Sequence, residues 1–574
     1  MSKRHHMTTD NTVLDIQTAT VQGAEHDPIP YFSLFPAPIT EPLPIFATSN
    51  DSTIIDDACE SLPDDIPDLS GFLVVVRRGT CSFARKLLNI AAKGGKFTFI
   101  YDDGEGLGPV NAPNFNATMI PAADGEFLVS QFTAGVPITI SFPQEGGLVQ
   151  FSDEFGGLVS SFTSYGPTND FYFKPAVAAP GGNILSTLPV PLGGYAILSG
   201  TSMATPFMAG SSALLLSVKG KSQKVTNTAR TLFETTAQTL SSSHTDGDPL
   251  QTVTQQGAGL VNVFNAIHTT TLVSPGEFIL NDTAHFNDRH TFTVTNAGDS
   301  EKTYTVRHVP AGTAITMQPG TIYPAVGPVP LTDAAASVSF STTSFTLAPG
   351  ASESVSATFK LPEGDESTFP VYSGFIHVVS GSEDLHVSYV GLGASLKNAQ
   401  VLDDGDEFFG IKYPFILSAV SGQQTGPTNY TFDPATQDFP LLLWRQAFGS
   451  PIVRIDLVDP EIDFEPTINR RQLATIGIDI TFPRVRVGGS FEQVPILGTI
   501  HELDWVPRNT DDFLFGGLNS LSFDTPTFAN GSAIPSGSYR FLLRSLKVTG
   551  NPAKENDYES WLSPIVGIFP AYVS

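Results

Sequence analysis

From about residue 273 the apolar residues of this 574-residue chain recur at every second position, and that period constrains its second half more than any other feature. Phe292 and Val294, Tyr304 and Val306, Val338 and Phe340, Val355, Ala357 and Phe359, and Leu385, Val387 and Tyr389 are each separated by a polar residue. Successive side chains of a strand point to opposite faces, so these runs bury one face and present the other to solvent or a neighbour. Asn296-Ala297-Gly298-Asp299 and Ala348-Pro349-Gly350 cut the runs into short strands. The reading for 273–397 is an all-β sandwich. Past the acidic break Asp403-Asp404-Gly405-Asp406-Glu407, residues 398–574 carry further short strands at Pro451–Leu457, Ala474–Phe482 and Tyr539–Val548, which read as a second sandwich.

The first half is different. Gly71–Gly79 is a strand of the buried type, Ser82–Lys93 a helix with Phe83, Leu87, Leu88 and Ala91 on one face, and Lys96–Tyr101 a second strand. A chain of this length exceeds a single core, and roughly three to four domains are expected. The formal charge of −27 argues against nucleic acid or an anionic membrane as partner. No apolar run approaches the ~20 residues of a transmembrane helix. The opening residues, Met1 to Val13, lack a hydrophobic signal core, and His5 and His6 read as part of a disordered leader. The two cysteines, Cys59 and Cys81, could in an oxidising compartment close a loop of about twenty residues, contributing roughly 3 kcal/mol. Possible glycosylation sequons lie at Asn50, Asn116, Asn281, Asn429 and Asn530.

One segment carries chemistry. Gly200-Thr201-Ser202-Met203-Ala204-Thr205-Pro206, followed by Phe207-Met208-Ala209-Gly210, leads into the apolar run Ala213 to Leu216. A glycine lets backbone approach a substrate closely. A helix N-terminus favours developing negative charge. Pro206 is expected in the first turn of that helix.

This segment resembles the nucleophile motif of the subtilases, the subtilisin-like serine proteases. Phe162 to Pro167, Lys174 to Ile184 and Gln256 to Asn262 resemble flanking segments of the same family in the same order, with Ala176 where the family usually has Asp. The resemblance implies a large secreted form: 1–44 a remnant of the catalytic domain, 45–143 an inserted protease-associated (PA) domain, 144–272 the C-terminal part of a doubly wound α/β catalytic domain, then a fibronectin type III-like sandwich over 273–397 and a second sandwich over 398–574. It implies that Cys59 and Cys81 pair, that Ser202 is the nucleophile, that the partners are protein or peptide substrates, and that the location is extracellular. Calcium is common in the family, but no ligand is assigned, and Asp56-Asp57 and Asp64-Asp65 read as solvated turns.

A serine hydroxyl needs a general base oriented by a carboxylate. No histidine here is followed by glycine, and no Asp-[Ser/Thr]-Gly occurs, so neither the His block nor the Asp block of the family is found. Residues 8–40, with Asp10 at a strand end, match the connection before the PA insert. The chain is therefore expected to start partway through the catalytic domain and to be catalytically incomplete by itself. The alternative is a pseudoenzyme or a protein- or cell-wall-binding protein. His26, in Glu25-His26-Asp27-Pro28, has the wrong context for a base, and His244, His268, His290, His308, His377, His386 and His501 read as structural or surface residues.

Overall fold

The computed structural model describes residues 13–570 apart from 34–35, 104–106, 108–109, 111, 113, 146, 153–154, 188, 191–194, 407–409, 469–493 and 511–515. His5, His6, Asp10 and the strand expected at Ala474–Phe482 lie outside the described residues.

The first unit is an eight-stranded sheet. Its strands are β1 (Val13–Gln22), β2 (Ile29–Tyr31), β3 (Leu43–Ala47), β4 (Leu73–Arg77), β5 (Phe97–Tyr101), β6 (Asn116–Ile120), β7 (Thr139–Ser141) and β8 (Leu148–Ser152). They run in the order β2-β1-β7-β3-β4-β5-β6, with β8 also on β1. Strands β3 to β6 are parallel, and both faces are covered. Leu73, Val75, Phe99 and Tyr101 pack with Leu128 and Val129 of α2 (Ala122–Thr133), whereas Val74, Val76 and Ile100 pack with Ile90 of α1 (Phe83–Ala92). A parallel strand buried on both faces reads as an unbroken apolar run, which explains Leu73-Val74-Val75-Val76.

Two expected boundaries are corrected by this sheet. Residues 1–44 and 45–143 do not separate at 44, because β1 pairs with β2, β7 and β8. The unit also runs past 143, because β8 needs β1 as its partner. Asp57 is likewise no solvated turn. It is buried, and its carboxylate accepts from Thr48 Oγ1 at 2.9 Å and the Arg77 amide at 3.0 Å.

Residues 155–270 form a helical region around α3 (Thr201–Lys219), α4 (Gln223–Thr235), α5 (Val253–Gln256) and α6 (Val263–His268), with a hairpin of β9 (Ile184–Thr187) and β10 (Tyr195–Leu198). No doubly wound sheet is formed within 155–270 among the described residues. Parallel pairing there is reduced to the bridge between Ala178 and Leu260, the two short extended pieces this segment encodes. Its core is correspondingly small: Leu215, Leu232, Phe233, Val261 and Ala266.

Two sandwiches follow. In the first, β11 (Thr271–Ser274), β13 (Arg289–Asn296), β18 (Ser352–Lys360) and β16 (Ser337–Phe340) form one sheet, in that order. The facing sheet is ordered β12 (Glu277–Ile279), β20 (Glu383–Leu392), β19 (Val371–Ser380), β14 (Lys302–Ala314) and β15 (Leu331–Thr332), with β17 (Ser344–Leu347) also on β14. The alternating residues of the sequence, from Phe292 to Tyr389, meet in the core between the sheets.

The second sandwich repeats this plan. One sheet is ordered β22 (Gly422–Gln423), β21 (Phe415–Ser418), β24 (Leu441–Trp444) and β27 (Asn519–Ser522). The other is ordered β23 (Thr428–Tyr430), β30 (Val566–Ile568), β28 (Gly537–Leu546), β25 (Ser450–Val458) and β26 (Ile496–Val506), with β29 (Tyr558–Leu562) also on β28. In each sandwich a short early strand pairs in parallel with the last strand, β12 with β20 and β23 with β30. The carboxylate of Glu559 accepts from the amides of Val401 and Leu402, fastening the connection between the sandwiches to the second one.

Candidate active site

Three separated segments converge on the start of α3. The stretch around Ala176 and Ala178 lies against the Gln256–Val261 segment: the Ala258 amide donates to Ala176, Ala178 to Gly259 and Val261 to Ala178, at 2.8 to 3.0 Å. Gln256 is fully buried and its side-chain Oε1 accepts the Leu240 amide at 2.8 Å. A few residues after Ala178, the Gly181 carbonyl accepts the amide of Gly200 at 2.8 Å. Gly200 precedes the helix with φ +156°, a conformation that L side chains rarely adopt, and no side chain caps the helix from this position.

Ser202 is the second residue of α3 and is exposed, as are Thr201, Thr205 and Pro206, while Met203 and Ala204 are half-buried. The amides of Met203 and Ala204 fold back onto the Gly200 carbonyl. The amides of Thr201 and Ser202 belong to the helix's unsatisfied first turn and add to its positive end. The Thr205 hydroxyl donates to the Thr201 carbonyl at 2.9 Å.

Pro206 does not lie in the first turn, as the sequence suggested, but inside the helix. The helix begins at Thr201, set by the Gly200 conformation, so the proline falls in the second turn. Having no N–H, it removes the donor that would reach the Ser202 carbonyl. On the far side, Phe207, Leu214 and Val218 are exposed, whereas Ser211 and Leu215 face the small core.

The Ser202 hydroxyl makes no hydrogen bond among the described residues. Five of the described histidines are engaged elsewhere. His26 meets Asp124 at 3.5 Å and lies over Phe127. His285 is bonded to Asp282, His308 to the Tyr389 hydroxyl, and His377 to Asp384. His386 bonds the carbonyl of Ala258, within the segment that lies against the Ala176–Ala178 approach to the nucleophile. Its burial, with His377 nearby, pushes its pKa down to about 3, so the ring is neutral and carries its proton on Nε2.

Sequence reasoning missed this docking of the first sandwich. Val253 donates to Ser373 Oγ at 3.0 Å, Gly312 to the Leu250 carbonyl at 2.9 Å, and Arg230 bridges Glu234 and Glu277. Phe171, Phe173 and Val253 share a core with Val371, Phe375, Val390 and Leu392. The available signal was the second face of β19 and β20, where Val371, Phe375, Val390 and Leu392 are apolar although the alternate residues already fill the sandwich core.

Of the other expected site residues, Cys59 and Cys81 form a disulfide with Cα atoms 5.8 Å apart. Asn50, Asn116, Asn429 and Asn530 are exposed, and Asn281 is half-buried with its amide donating to the His285 carbonyl. Among the described residues no three His, Cys, Asp or Glu side chains come together to hold a metal ion.

Residues 45–259 match the subtilase family model and 278–390 the model of an Fn3-like domain. The chain is similar to the minor extracellular protease Vpr of Bacillus subtilis (strain 168), at 34% identity over 260 residues, covering 43% of this chain and 31% of that protein. It is similar to the PI-type proteinase of Lactococcus lactis subsp. cremoris, at 31% identity over 269 residues, covering 42% of this chain and 14% of that protein. It also resembles the C5a peptidase of Streptococcus pyogenes serotype M3 (strain ATCC BAA-595 / MGAS315), at 31% identity over 250 residues, covering 42% and 20%. The chain thus spans about a third or less of the length of these relatives. Residues 45–259 therefore carry a region similar to the subtilase family, followed by an Fn3-like domain over 278–390.

Proposed function

We propose that this chain is the nucleophile-bearing part of an extracellular serine-type endopeptidase acting on protein or peptide substrates through an acyl-enzyme on Ser202. The observation that carries the reading is the position of Ser202. It is exposed on the second residue of α3, with free first-turn amides beside it and a glycine on its N-terminal side. The Ser202 oxygen attacks the scissile carbonyl, and the oxyanion develops at the positive helix end, where the Ser202 amide can donate to it. Removing one such donor costs about 3–4 kcal/mol in a typical case.

The hydroxyl proton has to pass to a base. No histidine among the described residues bonds Ser202, and the family's His and Asp blocks are not found in this sequence. The base and its orienting carboxylate are proposed to come from a segment outside these 574 residues. The first α/β unit is read as a PA-like insert that governs access to the site and takes no part in the peptide-bond hydrolysis.

A fluorophosphonate probe tests both parts. The expected result is no Ser202-dependent labelling of this chain alone, and labelling once it is expressed together with a segment carrying the Asp and His blocks. Labelling of the chain alone that disappears in Ser202→Ala would overturn the external base. Failure of the completed polypeptide to label would overturn the endopeptidase reading and favour a binding role.

A further inference from the structure

The disulfide of the first unit sits in an unusual electrostatic setting. Lys86, on α1, has its side chain fully buried, with its ammonium 3.5 Å from Cys59 Sγ. Its hydrogen-bond acceptor is the carbonyl oxygen of Asp57, while the Asp57 carboxylate is occupied by Thr48 and the Arg77 amide. Burial pushes the Lys86 ammonium below its ordinary range, opposed by Asp57, Asp56 and Asp103 and reinforced by Arg77. A buried cation whose bonded partner is a neutral carbonyl would gain from an anion at Cys59. The other sulfur has a second source of positive potential. Cys81 immediately precedes Ser82, the N-cap of α1, and is partly exposed.

We propose that the Cys59–Cys81 bridge is a thiol-exchange site that takes a small-molecule thiol as co-reactant, rather than a permanent staple. A thiol with a stabilised thiolate is a good leaving group, and a disulfide whose reduced form is stabilised is the more readily reduced. The small thiolate attacks Cys81 Sγ and the S–S bond breaks. The electron pair stays on Cys59 Sγ, beside the Lys86 ammonium, and Cys81 carries the mixed disulfide. A second small thiolate attacks the small-molecule sulfur of that mixed disulfide, leaving Cys81 as thiolate. Two small thiols are thereby oxidised to one disulfide while the protein bridge takes up two electrons.

The opened loop stays in place. Arg85 Nε donates to the Cys59 carbonyl at 3.0 Å, Asn89 Nδ2 to the Ala58 carbonyl at 2.9 Å, and Lys86 Nζ to the Asp57 carbonyl. These three side chains of α1 hold residues 57–59 without help from the bond, so the exchange is reversible.

Equilibration of the full chain in glutathione redox buffers, with the mixed disulfide trapped and located by peptide mass spectrometry, tests the proposal. Glutathione is expected on Cys81, and Lys86→Met should lower the equilibrium constant for reduction about tenfold, equivalent to about 30 mV. Glutathione trapped on Cys59, or an unchanged constant in Lys86→Met, would overturn it. Should Lys86→Met fail to fold, the pH profile of Cys59 alkylation in Cys81→Ser decides. A midpoint below the ordinary thiol value of about 8.5 supports the proposal, and one at or above it overturns it.

Discussion

His386 on β20 donates its Nε2 proton to the carbonyl of Ala258 across 2.8 Å, joining the Fn3-like sandwich to the segment that aligns the approach to Ser202. The ring is almost completely buried and packs edge-on to Phe375. Its folded pKa of about 3 lies below the ordinary histidine value of 6.5, chiefly through burial. Between these values the unfolded chain binds a proton that the folded chain refuses. The group's contribution is therefore complete above about pH 6.5 and falls as the pH drops toward 3, by at most about 1.4 kcal/mol per pH unit. In His386→Phe the Ala258 carbonyl loses its donor, costing about 1–3 kcal/mol near neutrality. Urea titrations at a series of pH values should show this loss together with a shallower decline below pH 6.

Glu383 acts at the junction of subtilase region and sandwich. It accepts from the Thr270 amide, the Thr270 and Thr271 hydroxyls and Lys302 Nζ. Burial opposes ionisation, but these donors outweigh it and bring the carboxyl down to about 2 from 4.5. Its contribution is fully present above about pH 4.5 and is lost as the pH falls through 2. Glu383→Gln should destabilise the sandwich most at pH 6 to 8. The difference from the parent should shrink toward pH 2, as read by thermal unfolding.

Gly259 has φ +114°, and a Cβ there would lie 2.2 Å from the Gln238 carbonyl oxygen. Because this residue's carbonyl accepts the Ala178 amide, strain here reaches the approach to α3. Gly259→Ala is expected to cost more than the roughly 1 kcal/mol typical of an ordinary glycine-to-alanine mismatch. Limited proteolysis should cut first within 155–270, with the sandwiches left intact.

In the second sandwich Arg544 and Asp456 are both fully buried and paired, and Asp456 also accepts from Arg454 Nε at 3.0 Å and Thr499 Oγ1 at 2.8 Å. Asp456→Leu strands a buried guanidinium and should cost about 3–5 kcal/mol. Adding Arg544→Met should recover a large part of that loss, which a double-mutant cycle by chemical unfolding would measure.

Local patterns in the sequence were enough for the helix carrying Ser202, for strands β4 and β5 with α1 between them, and for the first sandwich core. Each depends on neighbours a few residues apart. The pairing of β1 with β7 and β8 depends on residues more than a hundred positions away, so the expected boundaries at 44 and 143 fell inside one sheet. Pro206 was placed one turn early because proline preference alone cannot locate a helix start that a glycine dihedral sets. His386 was read only as structural or surface, because its strand was read for one buried face, and docking of the subtilase region buries the other.

The register that sets Val13 opposite Ser152 brings the two ends of the first unit side by side. With its ends adjacent, such a unit can be excised or grafted elsewhere without stretching either flank. The same register delays its assembly. During synthesis β1 must wait, unpaired on this edge, until the last strand has emerged, and closing so long a loop makes it the slow step in forming the unit.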